Sequence, residues 1–198
     1  MKINKNKMIL TDRDIKREIK KGRIVIKPFR EESLGSNSYD IHLGKILGVY
    51  KNKILDAKKH NKIKITKIPE EGIVLQPGEL YLGITEEYTE THNHVPFIEG
   101  KSSVGRLGIE IHSTAGKGDV GFCNHWTLEI SVKKPVRVYA GMPIGQIIYF
   151  KVNSPPEIAY NKKKNAKYNL FSQNPIESLL WKELIGEKKS DKIKTYIG

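Results

Sequence analysis

A succession of short apolar runs separated by turn residues is the feature that most constrains this fold. Turn signals rich in Gly and Pro stand at residues 69–72, 76–78, 133–135 and 140–143. Closely spaced runs of this kind are typical of β-sandwiches and barrels. The predicted strands are 24–26, 39–43 (ending at Gly44), 46–50, 63–65, 73–75, 80–84, 127–132, 136–139 and 144–150. Because strands and helices do not alternate along the chain, a Rossmann sheet is not expected.

The segments that flank the strands are predicted to have other structures. Thr11 and Asp14 form a short variant of the capping box, and Ile15 and Ile19 then share one face of a helix that ends at Lys21-Gly22. Residues 151–175 are polar and are predicted as an extended arm. We therefore expect one mainly β domain, a distorted barrel or jelly roll, over residues 1–181 with its arm from about 151, and a basic, flexible tail over 182–198.

The net charge of +13 first suggests nucleic acid as a partner. Residues 31–150, however, contain 14 basic and 14 acidic side chains, and residues 1–30 alone contribute +8. Lysine outnumbers arginine 29 to 6, which points to a lysine-rich composition rather than to a binding surface. Nucleic acid is therefore not an expected partner. A non-enzymatic, nucleic-acid-binding β protein remains the more distant alternative.

The apolar residues and the cysteine content bear on location. No apolar run approaches 18 residues, and no apolar stretch follows the basic N-terminus, so neither a membrane span nor a signal peptide is expected. Cys123 is the only cysteine, which excludes an internal disulfide and a CxxC zinc site and fits a reducing cytoplasm. Cys123 is predicted to be a buried small residue rather than a nucleophile. Residues 91–94, which hold His92 and His94, are predicted as a surface loop rather than a metal pair.

One segment, residues 99–131, concentrates glycines, hydroxyls and charges within the β pattern: EGKSSVGRLGIEIHSTAGKGDVGFCNHWTLEIS. Its loop 100–106 could surround an anion with N–H and hydroxyl donors, although an ordinary surface turn fits as well. Asp119 lies between glycines, where a turn aspartate is the commonest role. The period-2 pattern puts Leu128 and Ile130 on one face and Glu129 on the other, where a solvent-facing glutamate is the simpler interpretation.

Several motifs in this order resemble the dCTP deaminase family, within the dCTP deaminase/dUTPase superfamily. The motifs are MILTDRDI at 8–15, LGSNSYDIHLG at 34–44, GKSSVGRLG at 100–108, HSTAGKGDVGF at 112–122, TLE at 127–129, GMPIGQ at 141–146 and AKYN at 166–169. The resemblance covers roughly residues 8–181. It implies a dUTPase-like fold and a homotrimer whose substrate sites lie between subunits, and it implies hydrolysis of the 4-amino group of dCTP.

The resemblance also assigns catalytic roles. Glu129 matches the general base, Ser102 and Arg106 match residues that hold the attacking water, and the Ala115 carbonyl accepts a hydrogen bond from the water or the amine. Zinc deaminases carry an H-x-E and P-C-x-x-C signature that this sequence lacks. We therefore expect no zinc and a metal-independent deamination, with Mg²⁺ entering only on the triphosphate.

Further residues are expected to bind the substrate. Lys101 and Ser103 would hold phosphate oxygens, Asp119 would bind the 3′-hydroxyl, and Phe122 would pack under the sugar and exclude a 2′-hydroxyl. The arm is expected to close over the nucleotide. The remaining positions implied by the resemblance are Val104, Gly105, Thr127, Leu128, Gln146, Tyr160, Lys167 and Gln173.

The product is the open question at this point. Glu129, together with the ending AKYNLFSQ in place of a Gly/Ser-rich phosphate motif, counts against a plain dUTPase. The main expectation is a deaminase that releases dUTP to feed dUMP and dTTP synthesis. Ala115-Gly116 and Gln146 are shared with dUTPases and with bifunctional enzymes. The alternative is therefore a bifunctional enzyme that yields dUMP and pyrophosphate. The resemblance leaves inhibition by dTTP open.

Overall fold

The computed structural model describes residues 8–185, so the expectations for residues 1–7 and for most of the basic tail, 186–198, fall outside it. The predicted fold class is confirmed: the chain is mainly β with a short N-terminal helix. The elements are α1 (Asp12–Lys20), β1 (Ile24–Lys27), β2 (Tyr39–Tyr50), β3 (Ile63–Lys67), β4 (Ile73–Leu75), β5 (Tyr81–Thr91), β6 (His94–Gly100), α2 (Ser102–Gly105), β7 (Ile109–Glu110), β8 (Cys123–Val132), β9 (Val136–Val138), β10 (Pro143–Lys151) and α3 (Leu180–Ile185). Between residues 8 and 185, no helix is both long and apolar enough to cross a membrane.

All strand pairings are antiparallel. The main sheet has the order β6-β10-β2-β5-β8-β7, with β1 added beside β5 and β3 beside β2, and β4 and β9 form a separate pair. The sheet surrounds one apolar core. The fully buried members of this core include Tyr39, Ile41, Leu43, Ile130, Ile147 and Tyr149.

The N-terminal helix begins as predicted. The capping box between Thr11 and Asp14 is present, and Ile15 is fully buried while Ile19 packs against the core. The capping box supplies hydrogen bonds to N–H groups that a helix start leaves unpaired. Asp14 also pairs with Arg17, and these hydrogen bonds hold the pKa of the Asp14 carboxyl below its usual value, although burial acts in the opposite direction.

The second strand differs from the prediction, because β2 does not stop at Gly44. Residues 39–42 pair with β10, whereas residues 46–50 pair with β3, and the register with β5 shifts between Leu43 and Leu47. At Gly44 a Cβ would lie 2.8 Å from the carbonyl oxygen of Ile84. Gly44 therefore marks a close approach of two strands where β2 changes partners, rather than a turn.

The fifth strand is longer than predicted, because β5 continues past Glu87. The Glu87 side chain is fully buried, and its carboxylate lies 3.1 Å from Arg30 Nη1 and 2.6 Å from His42 Nδ1. It also accepts a hydrogen bond of 2.8 Å from the His42 backbone N–H. These partners compensate the buried charge. The acidic pair Glu86-Glu87, which in the sequence looks like the end of a strand, therefore lies inside β5.

A strand that the sequence did not predict, β6, follows directly. It starts at His94, whose residue surface is only 3% exposed, so the predicted surface loop over 91–94 is wrong for His94. Pro96 cannot donate a ladder hydrogen bond, which hides the strand in the sequence and suits its place at the end of the sheet.

Candidate active site

Strand β8 carries the residue predicted as the general base. Leu128, Ile130 and Val132 are buried in the core, and Thr127, Glu129 and Ser131 are half-buried on the opposite face, as the alternation predicts. Glu129 Oε2 accepts a 2.9 Å hydrogen bond from the backbone N–H of Ser113, which fixes the orientation of the carboxylate. Leu128 faces the core, so only its backbone can contact a substrate.

The segment that holds Glu129 in place packs on the edge of the sheet. The N–H of Ile98 donates to the carbonyl of Gly116 at 2.7 Å, and the N–H of Gly118 donates to the carbonyl of Pro96 at 2.8 Å. Ala115 is exposed and lies two residues beyond Ser113. Ala115 therefore lies on the same segment as the Ser113 N–H that holds the carboxylate of Glu129.

The residues predicted to hold the sugar, Asp119 and Phe122, lie together at the start of β8. With Tyr160 beside them, they are called the sugar group below. The ring of Phe122 packs against Trp126, with centroids 4.4 Å apart, and lies 6.1 Å from Tyr160. Asp119 and Tyr160 line one cavity of about 290 Å³, together with Val95 and Lys163. Asp119 also forms an ion pair of 2.7 Å with Lys117.

The loop predicted to hold phosphate is a single helical turn, α2. Ser102, Ser103 and Gly105 are exposed on it, and Arg106, just after its end, is also exposed. Val104 is only 5% exposed and packs in the core, so its backbone alone faces outward.

Lys101 and Gln146 have partners within the chain. The ammonium group of Lys101 is hydrogen-bonded to the carboxylate of Asp40, a residue of the motif at 34–44. Gln146 lies opposite Asp40 in the β2–β10 register and donates a 3.2 Å hydrogen bond to the carbonyl of Gly100. Asp40, Lys101 and Gln146 thus form one polar cluster beside α2.

The two groups of predicted ligands lie at opposite ends of β8. After α2, Ile109 and Glu110 pair with Val132 and Ser131, and the carbonyl of Gly108 accepts from the N–H of Lys133 at 2.9 Å. The sugar group precedes the first residue of the strand. Ten residues of strand extend about 30 Å. One copy of the chain therefore does not bring Arg106 to Asp119.

The arm lies along β8. Some of the residues predicted to bind the substrate already have partners within the chain. The hydroxyl of Thr127 accepts from the N–H of Ile176 at 3.0 Å. Lys167 forms a 2.6 Å ion pair with Glu183, and this hydrogen bond raises the pKa of the Lys167 ammonium. Gln173 lines a different cavity, of about 390 Å³, together with Lys45, His125 and other residues.

Two titratable side chains near the sugar group stay protonated. Burial raises the pKa of Tyr160, whose hydroxyl accepts from the N–H of Tyr168 at 3.0 Å. Burial, and then the charge of Glu90, raise the pKa of the Cys123 thiol. Cys123 is half-buried rather than buried as predicted, and a thiol whose pKa is raised is not activated as a nucleophile.

Sequence reasoning missed two functional contacts at this site. Ser113 acts through its backbone N–H, which every residue except proline has, so its side chain gives no signal. Asp40 stands in the motif LGSNSYDIHLG, but nothing in the sequence places it beside Lys101, 61 residues away.

Comparison with known proteins gives close relatives. A family model described as dCTP deaminase-like matches residues 9–152. A protein of Clostridium acetobutylicum named "dCTP deaminase, dUMP-forming" is 50% identical over 178 residues, covering 90% of this chain and 99% of the relative. A protein of Leptospira biflexa with the same name is 49% identical over 182 residues, covering 92% and 100%.

A solved structure supports the fold alone. The 2′-deoxycytidine 5′-triphosphate deaminase from Agrobacterium tumefaciens superposes with a TM-score of 0.61 at 19% identity. The superposition covers 75% of this chain and 49% of that one.

The names of the relatives correct one prediction. They describe dUMP-forming enzymes, so the expectation that the reaction ends at dUTP is wrong. The role that the resemblance implies for Glu129 concerns the cytosine ring and not the phosphates, whereas Ala115-Gly116 and Gln146 are the features it shares with enzymes that cleave phosphates. Because the family model spans most of the chain and the relatives match it over nearly their full length, the chain belongs to the dCTP deaminase-like family.

Proposed function

We propose that this protein is bifunctional and converts dCTP to dUMP, diphosphate and ammonia. The observation that carries the proposal is about half identity, over nearly their full length, to enzymes named for that product. One water replaces the amine on C4, and a second water attacks the α-phosphate and releases diphosphate. Mg²⁺ enters as part of the triphosphate substrate.

The deamination depends on Glu129. Its carboxylate, held by the Ser113 N–H, can take a proton from the water that attacks C4 and pass protons to the ring N3 and the leaving amine. The carbonyl of Ala115 lies on the same turn and can accept a hydrogen bond from the water or the amine. No zinc is needed when a carboxylate and fixed dipoles supply these functions.

The sugar group sets the specificity. Asp119 can accept a hydrogen bond from the 3′-hydroxyl, and Tyr160 closes the other side of the same cavity. The ring of Phe122, held by Trp126, leaves no room for a 2′-hydroxyl, which is a steric reason to reject CTP.

The triphosphate fits the α2 end. Ser103 presents an exposed hydroxyl and Lys101 a cation to the phosphate oxygens, whereas the exposed Ser102 and Arg106 hold the water that attacks C4. Charge-assisted hydrogen bonds from such groups are shorter and stronger than neutral ones. Asp40, Lys101 and Gln146 lie beside them and are the groups available to orient the second water.

We further propose a homotrimer with sites between copies. The residues predicted to hold the sugar and those of α2 lie at opposite ends of β8 in one chain, and this separation supports a site in which a second copy supplies Ser102 and Arg106. The same groups would bind the deoxyribose and triphosphate of dTTP, which makes dTTP a competing ligand. The single unpaired cysteine suits a cytoplasmic location.

The product assay tests the reaction. The full chain is incubated with dCTP and Mg²⁺, and dUTP, dUMP, diphosphate and ammonia are separated and quantified. We expect diphosphate at parity with ammonia and no accumulation of dUTP. Accumulation of dUTP with no diphosphate would contradict the proposal. A parallel incubation with dUTP alone measures phosphate cleavage independently of deamination.

The variant Glu129→Gln tests the role of the general base. Loss of a general acid–base group lowers ammonia release from dCTP by about 10²- to 10⁴-fold. Binding of dCTP, measured by calorimetry, should persist, because the amide keeps the size of the side chain. Glu70→Gln, in an exposed turn, is the control and should keep full activity. Full turnover by Glu129→Gln would exclude Glu129 as the base.

A further inference from the structure

Three side chains that can bind a metal ion meet outside the catalytic residues. Glu90 lies near the end of β5, His92 follows two residues later, and Cys123 begins β8. Glu90 and Cys123 are directly opposite each other in the β5–β8 register. One carboxylate oxygen, one ring nitrogen and the sulfur all lie within 4.8 Å of one another. His92 Nε2 is already 2.8 Å from Glu90 Oε2.

The chemistry of this set selects one class of ion. Thiolate and imidazole prefer borderline metals such as Zn²⁺ and Co²⁺, whereas Mg²⁺ and Ca²⁺ prefer oxygen ligands only. Zn²⁺ bonds of about 2.0–2.3 Å in a tetrahedron separate the ligand atoms by roughly 3.3–3.8 Å. The three ligand atoms, all within 4.8 Å of one another, are close to that spacing. We propose that Glu90, His92 and Cys123 bind a Zn²⁺-like divalent cation, with water at the fourth position.

Neighbouring groups are arranged to support such a site. The hydroxyl of Tyr88 donates a 3.0 Å hydrogen bond to Glu90 Oε1, the oxygen that does not contact His92. The amide nitrogen of Asn161, in the arm, lies 3.9 Å from the sulfur of Cys123. Outer contacts of this kind orient ligands and strengthen metal binding.

The solvent exposure of the cluster and the kinds of side chain in it also favour a bound cation. The His92 side chain is 38% exposed, so an ion can enter from solvent. A bound cation replaces the thiol proton of Cys123. Within residues 8–185, this is the only group of three or more His, Cys, Asp or Glu side chains with this spacing. The exposed pair of His60 and Glu177 has a similar 2.5 Å contact but no cysteine.

The position of the cation defines its role. The N–H of Gly121 donates to the carbonyl of Thr91 at 2.6 Å, and the N–H of Thr91 donates to the carbonyl of Phe122 at 3.1 Å. Residue 91 lies between Glu90 and His92, and Cys123 follows Phe122. The ion therefore joins the end of β5 to the turn that carries Asp119 and Phe122. It braces this turn and takes no part in the chemistry.

Cobalt binding to the full chain tests the site. Co²⁺ is titrated into metal-free protein without nucleotide, and the absorption spectrum is recorded. We expect one Co²⁺ per chain, with a near-ultraviolet thiolate-to-cobalt band and the intense visible bands of a tetrahedral ion. Zn²⁺ should displace Co²⁺, and excess Mg²⁺ should not. Absence of the thiolate band overturns the proposal.

Variants separate this site from other surface groups. His92→Gln and Cys123→Ser should weaken binding by at least about 100-fold, since even the loss of an outer-shell partner costs about 10- to 100-fold. Cys123→Ser should also abolish the thiolate band. His60→Gln is the matched control and should bind as the parent does. Zn²⁺ should raise the thermal midpoint of the parent but not of His92→Gln. An unchanged affinity in His92→Gln would show that His92 is not a ligand and would overturn the site.

Discussion

At the scale of single residues, Gly116 sets the limit on what the turn beside Glu129 can contain. A Cβ at this position would lie 2.5 Å from the carbonyl oxygen of Ile98 and 3.1 Å from the ring of His112. The first of these neighbours is backbone and cannot rotate away. The turn that presents Ser113 and Ala115 therefore tolerates only glycine at 116. This close packing explains why Gly follows Ala115 in this sequence.

We expect Gly116→Ala to destabilise the protein by about 1–3 kcal/mol, the usual cost of overpacking. Ammonia release from dCTP should fall with it, because the shifted turn no longer presents the Ser113 N–H to Glu129. Urea unfolding and an ammonia assay measure the two effects. Gly100→Ala is the control for stability, since nothing lies within 4 Å of a Cβ there. Equal stability of the two variants would show that the turn can relax.

The residue scale also shows why part of the site could be predicted. Glu129 lies where the alternation of Leu128 and Ile130 puts it, because side chains on a strand alternate between faces. The same rule explains why Leu128 and Val104 cannot offer their side chains: both are apolar residues that pack in the core. Asp40 could not be predicted, because its contact with Lys101 depends on strand pairing across 61 residues.

At the scale of elements, the arm and β8 act as one unit. Asn124 is only 2% exposed, and its side-chain amide donates to the carbonyl of Leu170 at 2.8 Å and to that of Tyr168 at 3.3 Å. Its oxygen accepts from the N–H of Ser172 at 3.2 Å. Thr127 makes a similar contact further along. One buried asparagine therefore fastens the segment that is expected to cover the nucleotide.

Asn124→Ala should release the arm. A hydrogen bond contributes about 0.5–1.5 kcal/mol to stability, and the Asn124 side chain makes three of them to the backbone of the arm. Amide hydrogen exchange in residues 168–176 should quicken markedly, whereas exchange in β10 should not change. Asn153→Ala, at an exposed asparagine, is the control. Unchanged exchange in the arm would mean that other contacts hold it.

The strands whose ends could not be predicted from the sequence are those that pair with several other strands. The patterns around β3, β4 and β9 place these strands to within two residues, because each has one partner or lies at an edge. By contrast, β2 pairs with three strands, and β5 contains a fully buried glutamate, Glu87. A local pattern cannot report a tertiary contact that satisfies a buried charge.

At the scale of the whole molecule, the separation of the two ligand groups determines how activity depends on assembly. Glu129→Gln and Arg106→Ala should each be inactive alone. Mixed after denaturation and refolding, they should recover roughly a quarter of the parent activity, the value for random association when each site takes the two residues from different copies. Ammonia release measures the recovery. A mixture that stays inactive would show that one copy supplies both residues.

The stability of the whole fold should depend on pH through His94. Burial lowers the pKa of this side chain, although Glu18 acts in the opposite direction, and Arg23 and Lys151 lower it further. A histidine with a lowered pKa binds fewer protons in the folded state than in the unfolded state. Stability is therefore complete above the ordinary value of about 6.5 and is lost as the pH falls below it.

The slope from this one group should not exceed about 1.4 kcal/mol per pH unit, the limit for a single proton. His94→Gln should flatten the decline between pH 6.5 and the range where carboxylates protonate, as measured by urea unfolding at several pH values. His60→Gln, at an exposed histidine, should keep the decline. An unchanged slope in His94→Gln would assign the effect to other groups.

The covering of β6 has a consequence for self-association. β6 is the last strand of the sheet, and an uncovered edge of this kind is a template for pairing with other chains. Here Pro96 removes one donor, and residues 116–118 bond to the free side of the strand. The turn that positions Glu129 thus also keeps the sheet from growing. Variants that loosen it for a new substrate should aggregate before they lose their fold, so solubility limits how far this site can be redesigned.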